Sequence, residues 1–173
     1  MIYDIYENRS GYMIGRFYAD VFGYEIEAWY KKDISIEYVE KNIAYLNNLE
    51  RDFLVIICVA LRKYYEDYKK ILPDICEDIN QDIIKDFDKD PTSILSYIDI
   101  GTYRFDQYSI TDENIPVINL RGDCAWSGDE GVTIAAKNNQ LLYVGPWHDF
   151  NVWNSEKNVM FNYAISDGKA WAL

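Results

Sequence analysis

The chain has 173 residues, of which 49% are hydrophobic and 16% aromatic, so it can bury a sizeable core and is not intrinsically disordered. Its formal net charge of -12 repels phosphate backbones and anionic lipid headgroups, which disfavours binding to nucleic acid and to membranes. The same charge attracts a basic protein partner, although acidity also serves solubility alone.

The cysteines and the apolar runs predict a soluble cytoplasmic protein. Cys58, Cys76 and Cys124 are odd in number and widely spaced, and the absence of a Cys-x-x-Cys pair excludes a zinc ribbon or a thioredoxin-type motif. Buried thiols are typical of a reducing compartment. The longest apolar run, residues 53–61, is far shorter than the ~20 residues that a membrane-spanning helix needs. Residues 1–7 lack the basic and apolar regions of a signal peptide.

Residues 1–34 are predicted to form an N-terminal β-hairpin. Residues 12–18 and 24–30 are both rich in aromatic and branched side chains, which is typical of strands. In the second run Glu25 and Glu27 alternate with apolar residues, the period-two pattern of a strand with one solvent-facing side.

Residues 35–90 are predicted to form a helical segment. Ser35 can cap a first helix whose apolar residues recur every three or four positions. A second helix is predicted over residues 50–72 and is stopped by Pro73. A third is predicted over residues 74–87. Helices joined by such short links pack antiparallel.

Residues 91–173 are predicted to be rich in β-structure. Strand candidates rich in branched and aromatic residues are found at 97–105, 116–121, 132–136 and 141–145. Asn138 and Asn139 favour a tight hairpin turn between the last two, because Asn tolerates the left-handed conformation.

A further hairpin is predicted at the end of the chain. Residues 160–164 and 169–173 flank Asp167 and Gly168, a strong turn signal. Strands, then helices, then strands indicate an α+β fold. We therefore predict one domain over residues 1–173, with a mostly antiparallel sheet and two or three helices packed on one face.

The chain offers few residues for catalysis. Cys124 and the single histidine, His148, could form a nucleophile pair with Asp123 or Asp149. No local signature supports such a triad, and the alternative is a buried thiol and a surface imidazole.

Metal and nucleotide sites are not predicted. Asp86, Asp88 and Asp90 match the first three ligand positions of an EF-hand loop, but Pro91 replaces the glycine and Tyr97 replaces the bidentate glutamate. One histidine and scattered cysteines make a zinc site equally unsuitable. No phosphate-binding glycine motif is present. The sequence therefore predicts no metal and no cofactor.

Two features favour partner binding. Acidic residues recur every four positions along the predicted third helix, at Asp74, Asp78, Asp82 and Asp86. On one helix face such carboxylates would repel one another, so they are either a solvated face or a docking surface for a basic partner. Aromatic residues are concentrated near the end of the chain, where Trp126, Trp147 and Trp153 are candidates for either an interface or the core.

The chain resembles an uncharacterised bacterial family over most of its length. The resemblance lies in the stretches 122–126, 130–134 and 142–145, which carry a Cys-x-Trp turn, a Glu-Gly pair before a strand and a Val-Gly strand end. Where that family often has His after the Glu, this chain has Gly131, which counts against a catalytic use of that position. Some similar small acidic proteins lie beside polymorphic toxins and act as immunity proteins.

These observations favour a non-enzymatic, acidic protein-binding module, with an immunity-type inhibitor of a basic toxin as the leading function. The first alternative is a small hydrolase-like enzyme. Its cleft would contain Asp123, Cys124, Asp129, Glu130 and His148. The second is a structural or regulatory subunit without activity of its own. A cleft with convergent carboxylates would favour the enzyme, and an acidic, aromatic surface would favour the inhibitor.

Overall fold

The fold is centred on one twisted sheet. The computed structural model describes residues 1–73, 80–105, 112–154 and 159–164. Within these residues seven strands lie in chain order across the sheet. They are β1 (Tyr3–Glu7), β2 (Tyr12–Ala19), β3 (Tyr24–Lys31), β4 (Ile98–Phe105), β5 (Val117–Cys124), β6 (Ser127–Lys137) and β7 (Gln140–Gly145).

All neighbouring strands are antiparallel except β3 and β4, which run parallel. Parallel neighbours need a long crossover connection, and the segment that joins β3 to β4 is long because it contains the helices. They are α1 (Ile36–Asn47), α2 (Arg51–Ile71), α3 (Asn80–Lys89) and a 3-10 helix (Pro91–Tyr97). The predicted α+β class with a mostly antiparallel sheet is therefore confirmed, and the helix count is slightly higher than predicted.

The helices pack on one face of the sheet, which we call the covered face. Tyr103 is the cross-strand neighbour of Leu120 on this face, and its hydroxyl donates to the α1 carbonyl of Asn42 at 3.3 Å. The same asparagine accepts the Val117 N–H at 2.7 Å, which ties α1 to β5. The Tyr64 hydroxyl of α2 donates to the carbonyl of Gly131 at 3.0 Å. Polar contacts thus anchor both long helices to the sheet.

The predicted helix cap and the predicted tight turn are both present in the structure. The Ser35 hydroxyl accepts the Tyr38 N–H at 3.2 Å and caps α1. Asn138 and Asn139 have φ values of 49° and 58°, as the tight turn between β6 and β7 requires. The predicted N-terminal hairpin corresponds to β2 and β3, and β1 is an additional edge strand.

The prediction of a strand over residues 160–164 is wrong. This segment lies beside the edge of β7 without forming a ladder, because its contacts run largely through the side chain of Asn162. That side chain accepts the Val144 N–H at 3.3 Å and donates to the Leu142 carbonyl at 2.8 Å. The Tyr163 N–H adds one bond to the Val144 carbonyl at 2.8 Å. The other predicted strand of this hairpin, residues 169–173, lies outside the described residues, as does its turn.

The opposite face of the sheet carries no helix, and we call it the open face. At its β5–β7 end it is overlaid by residues 147–153. There the Asn119 side chain donates to the Phe150 carbonyl at 3.1 Å, and the His148 N–H donates to the Thr133 hydroxyl at 3.2 Å. Across β2–β4 the open face carries exposed or half-buried polar and aromatic side chains. In the described part of the chain, no helix has the length and apolar character needed to cross a membrane.

Candidate functional site

The predicted acidic ladder is only partly described. Asp74 and Asp78 lie outside the described residues, and Asp82 lies within α3. Asp86 is half-buried and engaged, since it accepts a hydrogen bond from the Tyr97 hydroxyl at 3.3 Å and pairs with Lys89 at 3.6 Å. The charge of this member is therefore already partly balanced within the molecule.

Trp126 belongs to the core of the covered face. Its side chain is 0% exposed. The indole meets the rings of Tyr64 and Tyr65 edge-on, with centroid distances of 5.7 Å and 5.8 Å. Edge-to-face pairs of this kind stabilise packing beyond the buried area alone. Trp126 therefore holds α2 to the sheet and presents no surface to a partner.

Trp147, in contrast, is 63% exposed. Its backbone N–H donates to the carbonyl of Glu130 at 2.7 Å, which places the indole against Gly131. A Cβ atom at Gly131 would lie 2.6 Å from the Gly122 carbonyl oxygen and 2.9 Å from the indole nitrogen, and the φ of 56° there also favours glycine. Trp153 is half-buried, and the Lys137 ammonium lies 5.4 Å from its ring centroid.

The residues of the hydrolase hypothesis are divided between the two faces. The Cys124 thiol lies on the covered face, where it donates to the Gly131 carbonyl at 3.5 Å, and burial raises the pKa of this thiol to about 12. His148 is exposed on the open side, with its ring 5.5 Å from that of Tyr143. This separation does not favour a nucleophile pair, which requires a hydrogen bond and a lowered thiol pKa.

The residues of the open face enclose a groove of about 370 Å³ across β3, β4 and β5. We call it the open-face groove. Its lining combines aromatic walls, a glycine floor and charged side chains. It is lined by Trp29, Asp99, Gly101, Thr102, Arg104, Arg121, Gly122, Asp123 and Trp147.

Backbone geometry creates the groove. The register of β4 and β5 shifts between Ile100 and Thr102, so Gly101 forms a bulge in the strand. A Cβ atom at Gly122 would overlap the carbonyl oxygen of Asp99, so only glycine permits the approach of the two strands. Gly101 and the backbone of Gly122 thus form the floor of a depression between larger neighbours.

The outer wall of the groove is aromatic. The Trp29 indole donates to the Glu27 carboxylate at 2.9 Å, and its ring lies 6.2 Å from that of Tyr12. The guanidinium carbon of Arg104 lies 5.9 Å from the centroid of the Tyr12 ring. Ile14, the cross-strand neighbour of Trp29, is buried on this face. These contacts position Trp29 and Arg104 at the groove.

The inner side of the groove carries an ion pair. Arg121 binds the carboxylate of Asp149 at 2.5 Å, and the side chains are 16% and 86% exposed. The hydrogen bond from Arg121 and the positive charges of Arg121 and Arg104 lower the pKa of Asp149. A carboxylate placed over Arg121 is therefore electrostatically favoured.

The other end of the groove is acidic. Asp99 and Asp123 are direct cross-strand neighbours, and both side chains are exposed. Within the described ranges neither carboxylate forms an ion pair. Like charges directly opposite each other are destabilising, so the pair costs some stability that a bound cation would recover.

The side chains of the open-face groove include aromatic rings and charges of both signs. In the part of the chain that the structure describes, no cluster of three His, Cys, Asp or Glu side chains is arranged to hold a metal ion. The groove instead places both signs of charge between aromatic walls, an arrangement that suits a polar segment with apolar stems.

A model of a protein family described as a domain of unknown function (DUF6985) matches residues 4–152. The chain belongs to this family. The predicted membership of an uncharacterised family is thus confirmed. The matched region contains the whole open-face groove and all seven strands, apart from Tyr3 at the start of β1. No curated protein and no solved structure matches the chain.

Sequence reasoning missed most residues of this groove. The sequence predicts Trp147 and Asp123 as candidates, whereas Trp29, Arg104 and Arg121 lie in predicted strands without a predicted role. A signal was present, since Arg121 and Asp123 stand two residues apart in a run whose other residues are mostly apolar. Period-two placement puts such charges on one face of a strand.

Proposed function

We propose that this DUF6985 chain is a non-enzymatic protein-binding module whose open-face groove receives a basic segment of a partner protein. One observation carries the proposal. Asp99 and Asp123 are exposed neighbours without an ion pair in the described residues, and they line the same groove as the 63%-exposed Trp147.

These groups suit a Lys or Arg side chain. Two carboxylates can accept the hydrogen bonds of one ammonium or guanidinium group, and such charge-assisted bonds are stronger than neutral ones. The face of an exposed indole attracts a cation with about 0.5–1 kcal/mol and packs against the aliphatic stem. Exposed tryptophan is also the residue type that contributes most often to interface hot spots.

The overall charge supports the same partner. With a net charge of -12 the molecule attracts a basic protein over distances of about a Debye length, which accelerates their encounter. Asp129 and Glu130, at the start of β6, add two exposed carboxylates near this end of the sheet.

The finer form of the proposal is an immunity-type inhibitor that covers the basic active site of a toxin. Its support is the combination of an acidic surface with exposed aromatic side chains, which can occupy a cationic cleft. The hydrolase alternative gains no support from the placement of Cys124 and His148.

A matched pair of charge reversals tests the proposal. The variant Asp99→Lys/Asp123→Lys alters the groove, and Asp20→Lys/Asp33→Lys makes the same change in net charge at two exposed positions outside the groove lining. Partners are captured from the native host with the wild-type protein, identified, and purified for calorimetry. We expect the groove variant to weaken binding at least tenfold, and the control less than threefold, in accordance with the strength of charge-assisted contacts.

Equal losses in the two variants would mean that only net charge matters, which would remove the groove from the proposal. Unchanged binding in both would refute the acidic docking surface. An identified partner without excess basic residues at its contact site would contradict the charge argument.

A further inference from the structure

The groove presents two charges of opposite sign in a fixed order. Arg121 and Asp123 project from the same face of β5, because side chains two residues apart in a strand point the same way. Their separation along the strand is roughly 7 Å, twice the rise per residue. Asp99 reinforces the negative position as the neighbour of Asp123, and Arg104 adds positive charge beside Arg121.

An extended partner segment has the same spacing. Its residues i and i+2 also share one face and also lie roughly 7 Å apart. A segment with a basic residue at one of these positions and an acidic residue at the other can therefore place each charge against its opposite. A segment with two basic residues would bring one of them against Arg121.

We infer that the open-face groove selects an extended segment of a partner protein in which one residue separates a Lys or Arg from an Asp or Glu. The inference rests on the proposed function and specifies its partner. The basic side chain lies against Asp99 and Asp123, and the acidic side chain lies against Arg121.

Asp149 shows that a carboxylate fits the positive position. Its carboxylate oxygen lies 2.5 Å from a guanidinium nitrogen of Arg121, and its side chain is 86% exposed. Little besides this ion pair therefore holds the carboxylate in place. Its position in the 147–153 segment is fixed mainly by neighbours, such as the His148 N–H bond to Thr133. An incoming carboxylate can therefore replace Asp149 without disturbing the sheet.

The aromatic walls complete the site. Trp29 and Trp147 border the groove, and Gly101 and the backbone of Gly122 line its floor. An extended backbone can therefore lie between the two indoles while its alternate side chains reach the charges. Exposed indole surface of this kind is covered most favourably by aliphatic stems of Lys, Arg or Glu.

The test is a nuclear magnetic resonance titration of the ¹⁵N-labelled protein with acetylated and amidated peptides. Four peptides differ only in their core, which is Lys-Ser-Glu, Lys-Ser-Gln, Lys-Ser-Lys or Glu-Ser-Glu. Shifts of the Trp29 and Trp147 indole N–H signals locate binding at the groove. We expect the Lys-Ser-Glu peptide to bind on the order of fivefold more tightly than the Lys-Ser-Gln and Lys-Ser-Lys peptides.

The Lys-Ser-Lys comparison is stringent, because the net charge of -12 favours the doubly basic peptide at long range. Equal or tighter binding of Lys-Ser-Lys at the groove would overturn the inference and leave the proposed function standing. Failure of every peptide to shift either indole signal would overturn the inference, and the proposed function would then depend on the native-partner experiment alone.

Two exposed positions provide variants that preserve the fold. Asp149→Asn removes the internal competitor, so we expect tighter binding of Lys-Ser-Glu and unchanged binding of Lys-Ser-Gln. Asp123→Arg reverses one charge, so we expect the preference to move from Lys-Ser-Glu to Glu-Ser-Glu. An Asp149→Asn variant that binds all peptides as the wild type does would contradict the assignment of Arg121 to the acidic residue.

Discussion

The two faces of the sheet are built from the same strands by the same alternation, yet their tryptophans have opposite fates. On the covered face Trp126 is enclosed by α2 and is fully buried, whereas at the open face Trp147 is 63% exposed over Gly131. Both follow strands and both lie in aromatic surroundings. The difference shows that residue type alone does not separate a core aromatic from a surface one, and that the packing of the helices decides.

The largest expected effect tests this contrast directly. Trp126→Ala should lower the free energy of unfolding by about 3–5 kcal/mol, because it leaves a large cavity between α2 and the sheet. Trp147→Ala should change it by less than about 1 kcal/mol, since its ring is mostly in solvent. Urea denaturation of both variants measures the difference, and similar losses would contradict the assigned environments.

The second effect concerns the glycine floor of the groove. Gly122→Ala should destabilise the protein by about 3 kcal/mol, because its methyl group overlaps the Asp99 carbonyl and β4 must move away from β5. Gly128→Ala is the matched control, since no atom lies within 4 Å of its added Cβ. Thermal unfolding of the two variants compares them, and equal melting temperatures would refute the close approach of the strands.

A polar contact on the covered face gives the third effect. Asn42 is 0% exposed, accepts the Val117 N–H at 2.7 Å and donates to the Tyr38 carbonyl at 2.8 Å. Asn42→Ala leaves the buried Val117 N–H without this acceptor and should cost about 2 kcal/mol. The variant Asn48→Ala, at an exposed position, serves as the control. Hydrogen exchange at Val117 should accelerate only in the first variant, and protection unchanged in both would show that Asn42 does not anchor α1.

The smallest effect is the ion pair of the open face. The pKa of Asp149 is lowered from its ordinary value of 3.8 by Arg121, so its contribution to stability is present above that value and is lost as the pH falls through the lowered pKa. The side chain is largely exposed, and solvent screening limits the contribution to less than about 1 kcal/mol.

Carbon-detected titration of the Asp149 carboxyl group measures this pKa. Replacement by Arg121→Gln should return it toward 3.8, whereas Arg51→Gln, at a different surface ion pair, should leave it unchanged. An Asp149 pKa that is insensitive to Arg121→Gln would remove the ion pair from the description of the groove.

Much of the covered face could be predicted. The four-residue and three-residue recurrence in α1 and the cap at Ser35 identified that helix, because one amphipathic stripe and one hydroxyl are local properties. The tight turn at Asn138 and Asn139 was equally readable. The strand over residues 160–164 was not, since a single asparagine side chain replaced the expected ladder at the edge of β7.

The groove illustrates the remainder. The sequence indicates Asp123 and Trp147 only as single residues, because their groove neighbours Asp99, Trp29 and Arg104 come from strands separated from them in sequence. Strand order and the bulge at Gly101 bring these residues together, and neither is encoded in a local pattern. The sequence does not distinguish Trp126 from Trp147, because it does not show which side of the sheet the helices cover.

The sequence by itself determined the α+β class, the positions of most strands and helices and the acidic character of this protein, because periodicity, capping and charge are local or additive. Tertiary structure alone decided that Arg121 and Asp123 share a groove with Trp29, that Cys124 and His148 lie on opposite faces, and that Trp126 is buried. The physical reason is that pairing of distant strands and coverage by helices depend on the packing of the whole chain, which no window of sequence contains.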